Sequence, residues 1–209
     1  MIPHRQLAKI FYTPFPNIIW KYPPYDNTIY LTFDDGPYPP VTKPLLELMD
    51  DLEIPGTFFL SGQNIFRYRT ELSDLNYGKH VLGSHFYHHV PLFGLDFKKI
   101  LREINFTDEL IFRYFNRLAN YFRPPYGIFS RKVFPALEST SKRMVLWTVM
   151  AYDFKWPAER ILKHLCNTVH PGDVIVFHDS PKTENTLLDV LPPFVAHCRE
   201  LGWRFGKIG

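Results

Sequence analysis

The stretch Thr28-Ile29-Tyr30-Leu31-Thr32-Phe33-Asp34-Asp35-Gly36-Pro37 runs from an apolar, β-branched segment directly into two carboxylates and a turn. Residues 28–33 read as a strand, and Gly36-Pro37 stops it. Two adjacent acids at the mouth of a strand repel each other when both ionise, so a neighbouring cation or metal is expected to hold their charge. A nucleotide-binding sheet would carry a glycine-rich loop after its first strand. Asp34-Asp35-Gly36-Pro37 stands in that place instead.

Outward from this strand, similar runs occur at residues 56–60, 81–84, 121–123, 144–147 and 174–178, with a short seventh at 203–205. The segments between them carry helical periodicity. Pro44-Leu45-Leu46-Glu47-Leu48-Met49 reads as a helix with proline in its first turn, and Phe97, Ile100, Leu101 and Ile104 recur at three- and four-residue steps. Pro157 and Glu159 open another helix through Leu165. A last one covers residues 187–201, bent or restarted at Pro192-Pro193 and closed by Gly202. Such alternation specifies an α/β fold with a parallel sheet. Thr57-Phe58-Phe59-Leu60 and Val174-Ile175-Val176-Phe177 are apolar on both alternating faces, as strands covered on both sides require. Without a nucleotide loop, the favoured arrangement is a barrel, whose catalytic residues gather at the C-terminal ends of several strands. Asp34, Asp35, His85, Arg123, Asp153 and His178 all fall at or just beyond such ends.

A chain of 209 residues with 45% hydrophobic content supports one substantial core. The expected organisation is a catalytic domain over residues 28–209, with an extension, 1–27, packed on it. The net charge of +3 comes from mixed charges without a basic run, which argues against a nucleic-acid partner. Cys166 and Cys198 lie inside predicted helices without metal-type spacing and read as buried thiols. Pro14 and Pro16 interrupt the apolar N-terminal stretch, so neither a signal-peptide core nor the roughly 18 apolar residues of a membrane span is visible. A cytoplasmic location is the expectation. The alternative is a weak membrane-surface contact through residues 5–20, where Ile10, Phe11, Phe15, Ile18, Ile19 and Trp20 mix with basic side chains. Oligomeric state is not legible.

His85 and His89 stand at i, i+4, which sets two imidazoles side by side if the turn is helical, and His88 is almost as well placed. A nearby carboxylate completes a two-histidine, one-carboxylate set with coordination positions left open. Read singly, each motif has an ordinary rival. Asp34-Asp35-Gly36-Pro37 is also a strand-ending turn, Arg123-Pro124-Pro125 a stiffened loop, Asp153 an exposed loop acid and His178 a core histidine. Trp147 and Phe177 read as core.

Taken together, Thr32-Phe33-Asp34-Asp35-Gly36-Pro37, Gly83-Ser84-His85-Phe86-Tyr87-His88-His89, Phe122-Arg123-Pro124-Pro125-Tyr126-Gly127, Asp153-Phe154 and Ile175-Val176-Phe177-His178 resemble the five motifs of the NodB-homology polysaccharide deacetylases, in order. The resemblance runs from about Thr28 to the C-terminus. It implies a distorted (β/α) barrel of about seven parallel strands and metal-dependent removal of an acetyl group from a sugar. Carried over by position, it makes Asp35, His85 and His89 the metal ligands, Asp34 the base acting on metal-bound water, and His178 the acid. It pairs Arg123 with Asp34 and Asp153 with His178. A guanidinium beside Asp34 favours the carboxylate, and a carboxylate beside His178 favours the imidazolium. The resemblance also assigns substrate contacts to Pro125, to Tyr126 through its backbone N–H, and to Phe154 and Ile175 around the acetyl methyl.

Four positions depart from the family pattern. Phe86 replaces the hydroxyl residue after the first histidine ligand, and Val90 the proline after the second. Met150 stands for the earlier acid of the fourth motif, and Phe154 for its tryptophan. Loss of the hydroxyl suggests that the metal loop is held differently, with His88 in support. The expected cofactor is one divalent ion, zinc by default, with cobalt, nickel or manganese also compatible. The expected substrate is an N-acetylated aminosugar polymer or oligomer of peptidoglycan or chitin type. The alternatives are deacylation of a lipid-linked or soluble sugar intermediate, an inactive carbohydrate-binding relative, and a metal-independent amidase.

Overall fold

The computed structural model describes residues 18–184 and 186–209. Nine strands form one sheet: β1 (Ile18–Ile19), β2 (Thr28–Asp34), β3 (Thr57–Leu60), β4 (Val81–Ser84), β5 (Tyr121–Phe122), β6 (Arg143–Val145), β7 (Val149–Met150), β8 (Val174–His178) and β9 (Arg204–Gly206). They run in the order β1-β6-β5-β4-β3-β2-β8-β7, with β9 pairing beside β2, and every ladder is parallel. β6 and β7 lie toward opposite ends of this order, yet only Leu146-Trp147-Thr148 separates them in the chain. Three residues span at most about 10 Å. The sheet therefore curls until its ends meet: Leu146 N–H donates to the Ile19 carbonyl and Thr148 N–H to that of Val174. The result is the distorted barrel expected from the sequence. β1 and β7 were not foreseen, because a two-residue strand carries no periodicity and exists only through its partner.

Helices α1 (Pro39–Asp51), α2 (Gly62–Arg67), α3 (Phe97–Phe115), α4 (Val133–Ser139), α5 (Ala158–Thr168) and α6 (Leu187–Glu200) complete the described elements. Pro44 lies inside α1 and not in its first turn, because Pro39-Pro40 already supply that turn's fixed φ. Likewise α6 runs unbroken through Pro192-Pro193. Two interior prolines cost about 6 kcal/mol, whereas burying Leu187, Val190, Leu191, Phe194 and Val195 contributes roughly 8–15 kcal/mol, so packing decides the outcome. Cys198 is buried and Cys166 half-buried, and both are free thiols. No helix among the described residues is long and apolar enough to cross a membrane. The surface-contact stretch lies outside the described residues except for Ile18, Ile19 and Trp20, of which the first two form β1.

Period-two alternation divides the strands between two environments. Ile29, Leu31 and Phe33 of β2, Phe58 and Leu60 of β3, and Ile175 and Phe177 of β8 pack outward with residues of α1, α5 and α6. Phe59, Val145 and Val174 form an inner cluster with Ile19 and Ile208. Asp34 and His178 share the inner parity and are register partners on adjacent strands. Ser84 likewise pairs with Phe122, which brings the following residues, His85 and Arg123, side by side.

Candidate metal and acid–base site

The carboxyl ends of the strands surround a cleft of about 510 Å³ lined by Asp34, Asp35, His85, His89 and His178, among others. Asp34 ends β2, and Asp35 follows in the left-handed region at φ 78°, a conformation that aspartate tolerates better than most residues. Two contacts hold this turn: Asn64 of α2 donates to the Asp35 carbonyl at 2.7 Å and Ser61 N–H to that of Gly36 at 2.7 Å. Beneath it, the Asp179 carboxylate accepts from Gly36 N–H at 3.1 Å and from the Thr42 hydroxyl at 2.7 Å. A Cβ on Gly36 would lie 2.1 Å from Asp179 Oδ2, so only glycine fits. Burial raises the Asp179 pKa to about 8, with the charge of Asp35 adding to the rise against the hydrogen bond from Thr42.

Asp35, His85 and His89 converge, with one ligand atom from each lying within 4.8 Å of the others. His85 Nδ1 faces the Arg123 carbonyl at 2.8 Å and must donate to it, which leaves a lone pair on Nε2 in the neutral ring. That Nε2 is 3.6 Å from Asp35 Oδ1, and His89 Nε2 is 3.0 Å away. Even so, Asp35 Oδ1 is buried with no hydrogen bond. An orphaned carboxylate oxygen among imidazole nitrogens fits a divalent cation. His89 Nδ1 meets the Tyr126 hydroxyl at 3.1 Å, which fixes the second ring from outside.

The residues from His85 to His89 are not helical. The backbone turns left-handed at Phe86, φ 72°, and it is this reversal that brings the two rings to 5.2 Å. Phe86 is fully buried with Phe122, Ile100 and Ile104. His88 turns away from the triad, and Glu103 of α3 holds it, accepting from the His88 backbone N–H at 2.9 Å and meeting its ring Nδ1 at 2.9 Å. Sequence reasoning missed Glu103. Its signal was a carboxylate on the apolar stripe of α3, between Ile100 and Ile104 and Thr107.

Two pairs flank the triad, one fully buried and one half-buried at His178. Arg123 follows β5, is fully buried, and donates through Nη1 to Asp34 Oδ1 at 2.6 Å and Thr32 Oγ1 at 2.8 Å. Its Nε and Nη2 donate to the Val145 and Leu146 carbonyls, each at 3.1 Å, and its Cζ stands 4.2 Å from the Phe59 ring centroid. Burial lowers the Arg123 pKa against the opposing pull of Asp34. On the other side His178 Nδ1 donates to Asp153 Oδ1 at 2.9 Å, while Asp153 Oδ2 accepts from His178 N–H at 2.6 Å. Burial would lower the His178 pKa, but the hydrogen bond and charge of Asp153, with the charges of Asp34 and Asp35, raise it to about 9.

The apolar positions divide. Tyr126, at φ 60° in the 3₁₀ turn Pro125–Gly127, and Phe154, whose ring meets His178 edge-on at 5.1 Å, both line the cleft. Pro125 is buried and does not line it. Nor does Ile175, which is three residues from His178, has the opposite parity and packs in the outer core. Met150 and Trp147 line the cleft instead; Trp147 is half-buried and packs against the core, as expected, while also forming part of the cleft wall.

The family model for polysaccharide deacetylase matches residues 21–145. The chain is 27% identical over 188 residues to the peptidoglycan-N-acetylmuramic acid deacetylase PdaA of Bacillus subtilis, covering 88% of this chain and 70% of that protein. It superposes with a TM-score of 0.86 and 26% identity on the Bc1960 peptidoglycan N-acetylglucosamine deacetylase in complex with 4-naphthalen-1-yl-N-oxidanyl-benzamide, covering 92% and 91% of the two chains. The fold is also that of BA3943, a CE4 family pseudoenzyme from Bacillus anthracis, with a TM-score of 0.83, 22% identity, and 93% and 68% coverage.

Proposed function

This chain belongs to the polysaccharide deacetylase family, and we propose that it is a metal-dependent hydrolase that removes acetyl groups from N-acetylated sugars of peptidoglycan or chitin type. The observation that carries this reading is the convergence in one cleft of the Asp35–His85–His89 donor set with two separate acid–base pairs, Asp34–Arg123 and His178–Asp153.

Asp35, His85 and His89 would hold a divalent cation, which would supply Lewis acidity and a more acidic water. Asp34, tethered at Oδ1 by Arg123, takes a proton from the attacking water as its oxygen bonds to the acetyl carbon. The Tyr126 backbone N–H steadies the negative oxygen that develops on that carbon. His178, held as imidazolium by Asp153, gives its proton to the sugar nitrogen as the C–N bond breaks, so that acetate and a free amine leave. Trp147, Met150 and Phe154 enclose the acetyl methyl and exclude water from it.

Elemental analysis of the purified protein, paired with acetate release from N-acetylated chitooligosaccharides before and after chelation, tests the reading. Near-stoichiometric metal with chelator-sensitive release is expected. Chelator-resistant release would point to a metal-independent amidase, and metal with no acetate release from any acetylated sugar to a binding protein.

A further inference from the structure

The charges that line the cleft are not equally satisfied. Of the lining carboxylates, Asp34 is paired with Arg123, and Asp35 belongs to the donor set that fits a cation. Two lining cations remain. Arg67 ends α2, and Lys182 lies in the 3₁₀ turn Pro181–Thr183 after β8. Both are exposed at the mouth, and among the described residues neither makes an ion pair or a side-chain hydrogen bond; the Arg67 guanidinium lies over the Tyr68 ring, 5.9 Å from its centroid.

The sheet order explains why they share a wall. β3, β2 and β8 are neighbours, so the segments that follow them stand together at the mouth. Tyr38, after β2, meets Tyr68 edge-on at 5.8 Å, next to Arg67. Glu184, two residues beyond Lys182, is near enough for its charge to raise the Tyr38 pKa, after burial. Glu184 is exposed and does not line the cleft, and its single charge leaves this wall net positive. The side built from segments after β5, β6 and β7 is aromatic and apolar, with Tyr126, Trp147, Met150 and Phe154. A sugar seated between the two walls presents its apolar face to the rings and its outer substituents to the cations. Unpaired cations in a cleft favour an anionic ligand, through attraction that salt screens.

Resting on the deacetylase reading above, we infer that the substrate is an acetylated aminosugar bearing an acidic substituent, a carboxylate or a phosphate, that Arg67 and Lys182 bind.

The test compares kcat/KM for acetate release from three N-acetylglucosamine oligosaccharides of one length: neutral, bearing a carboxylate ether on the ring, and ending in a phosphate monoester. At least one acidic substrate should exceed the neutral one by roughly tenfold at low ionic strength. The preference should shrink in high salt and collapse toward unity in the Arg67→Gln/Lys182→Gln double variant. Which acidic substrate responds tells carboxylate from phosphate. Equal rates on all three, or a preference that survives the double substitution, would overturn the inference. Acetate from none of the three would sink the deacetylase reading instead. Calorimetric titration of the same sugars into the Asp34→Asn protein then still decides the charge question. Tighter binding of an acidic sugar, weakened by the double substitution, upholds the inference, and equal binding defeats it.

Discussion

Glu103 accepts the backbone N–H of His88 at 2.9 Å and meets its ring Nδ1 at 2.9 Å, so a carboxylate on α3 clamps the loop between the two histidines of the candidate metal triad. This clamp, together with the buried Phe86 ring, stands where the family pattern has a hydroxyl. Glu103→Ala is expected to weaken zinc binding roughly tenfold, as loss of supporting contacts does at other metal sites. Glu103→Gln retains one acceptor oxygen and should recover part of the loss. Calorimetric titration of zinc into the two variants measures this, and unchanged affinity in both would show that Phe86 alone holds the loop.

Asp34 and Asp35 are neighbours in the chain with different partners, so their amide variants should separate. Asp34→Asn is expected to retain metal and lose on the order of 10²-fold or more in kcat. Asp35→Asn removes charge from the donor set and should lose the metal itself. Elemental analysis of both proteins checks the assignment, and metal loss in the Asp34 variant would reverse it.

The raised pKa of His178, about 9 against an ordinary 6.5, sets an alkaline limit. A group whose folded pKa is raised contributes stability that is fully present below 6.5 and is lost as pH rises through about 9. The proton required for the leaving nitrogen is lost over the same rise. kcat should therefore fall above pH 9, and Asp153→Asn should move that limb to lower pH. A pH–rate profile with an unmoved limb in the variant would assign it to another group.

Arg123 is fully buried, and four acceptors use its donors: Asp34, Thr32 and the Val145 and Leu146 carbonyls. Truncation leaves Asp34 without its cation, at a cost of about 3–5 kcal/mol. Arg123→Lys should recover little, because an ammonium cannot reproduce the planar fork. Urea unfolding of Arg123→Met and Arg123→Lys measures the loss, and a change below about 1 kcal/mol in both would mean that the pair stabilises little.

Much of this site was legible because chemistry-bearing residues sit next to features with local signatures. Asp34 and His178 each end an apolar run of recognisable length, so their place at the mouth follows from the chain alone. Ile175 was legible too, since three residues from His178 is the opposite parity, and period two already sends it outward. Other features left no local trace. The His85–His89 spacing has a helical reading, but burial of the Phe86 ring turns the backbone left-handed there. Asp179 is a plain acid in the sequence, and only the packed structure sets its carboxylate against Gly36 and Thr42.

The sequence by itself determined the alternation of strand and helix, the parallel sheet, and the kind of group presented at each strand end, because spacing and side-chain chemistry are local properties. Only the tertiary structure decided which groups meet. Arg123 reaches Asp34 across 89 residues of chain, Asp153 reaches His178 across 25, and Glu103 reaches His88 across 15. These pairings depend on sheet register, on how the curled sheet closes between β6 and β7, and on how α3 docks. Each is a balance of burial and hydrogen bonding summed over the whole barrel, so no single segment of the chain encodes it.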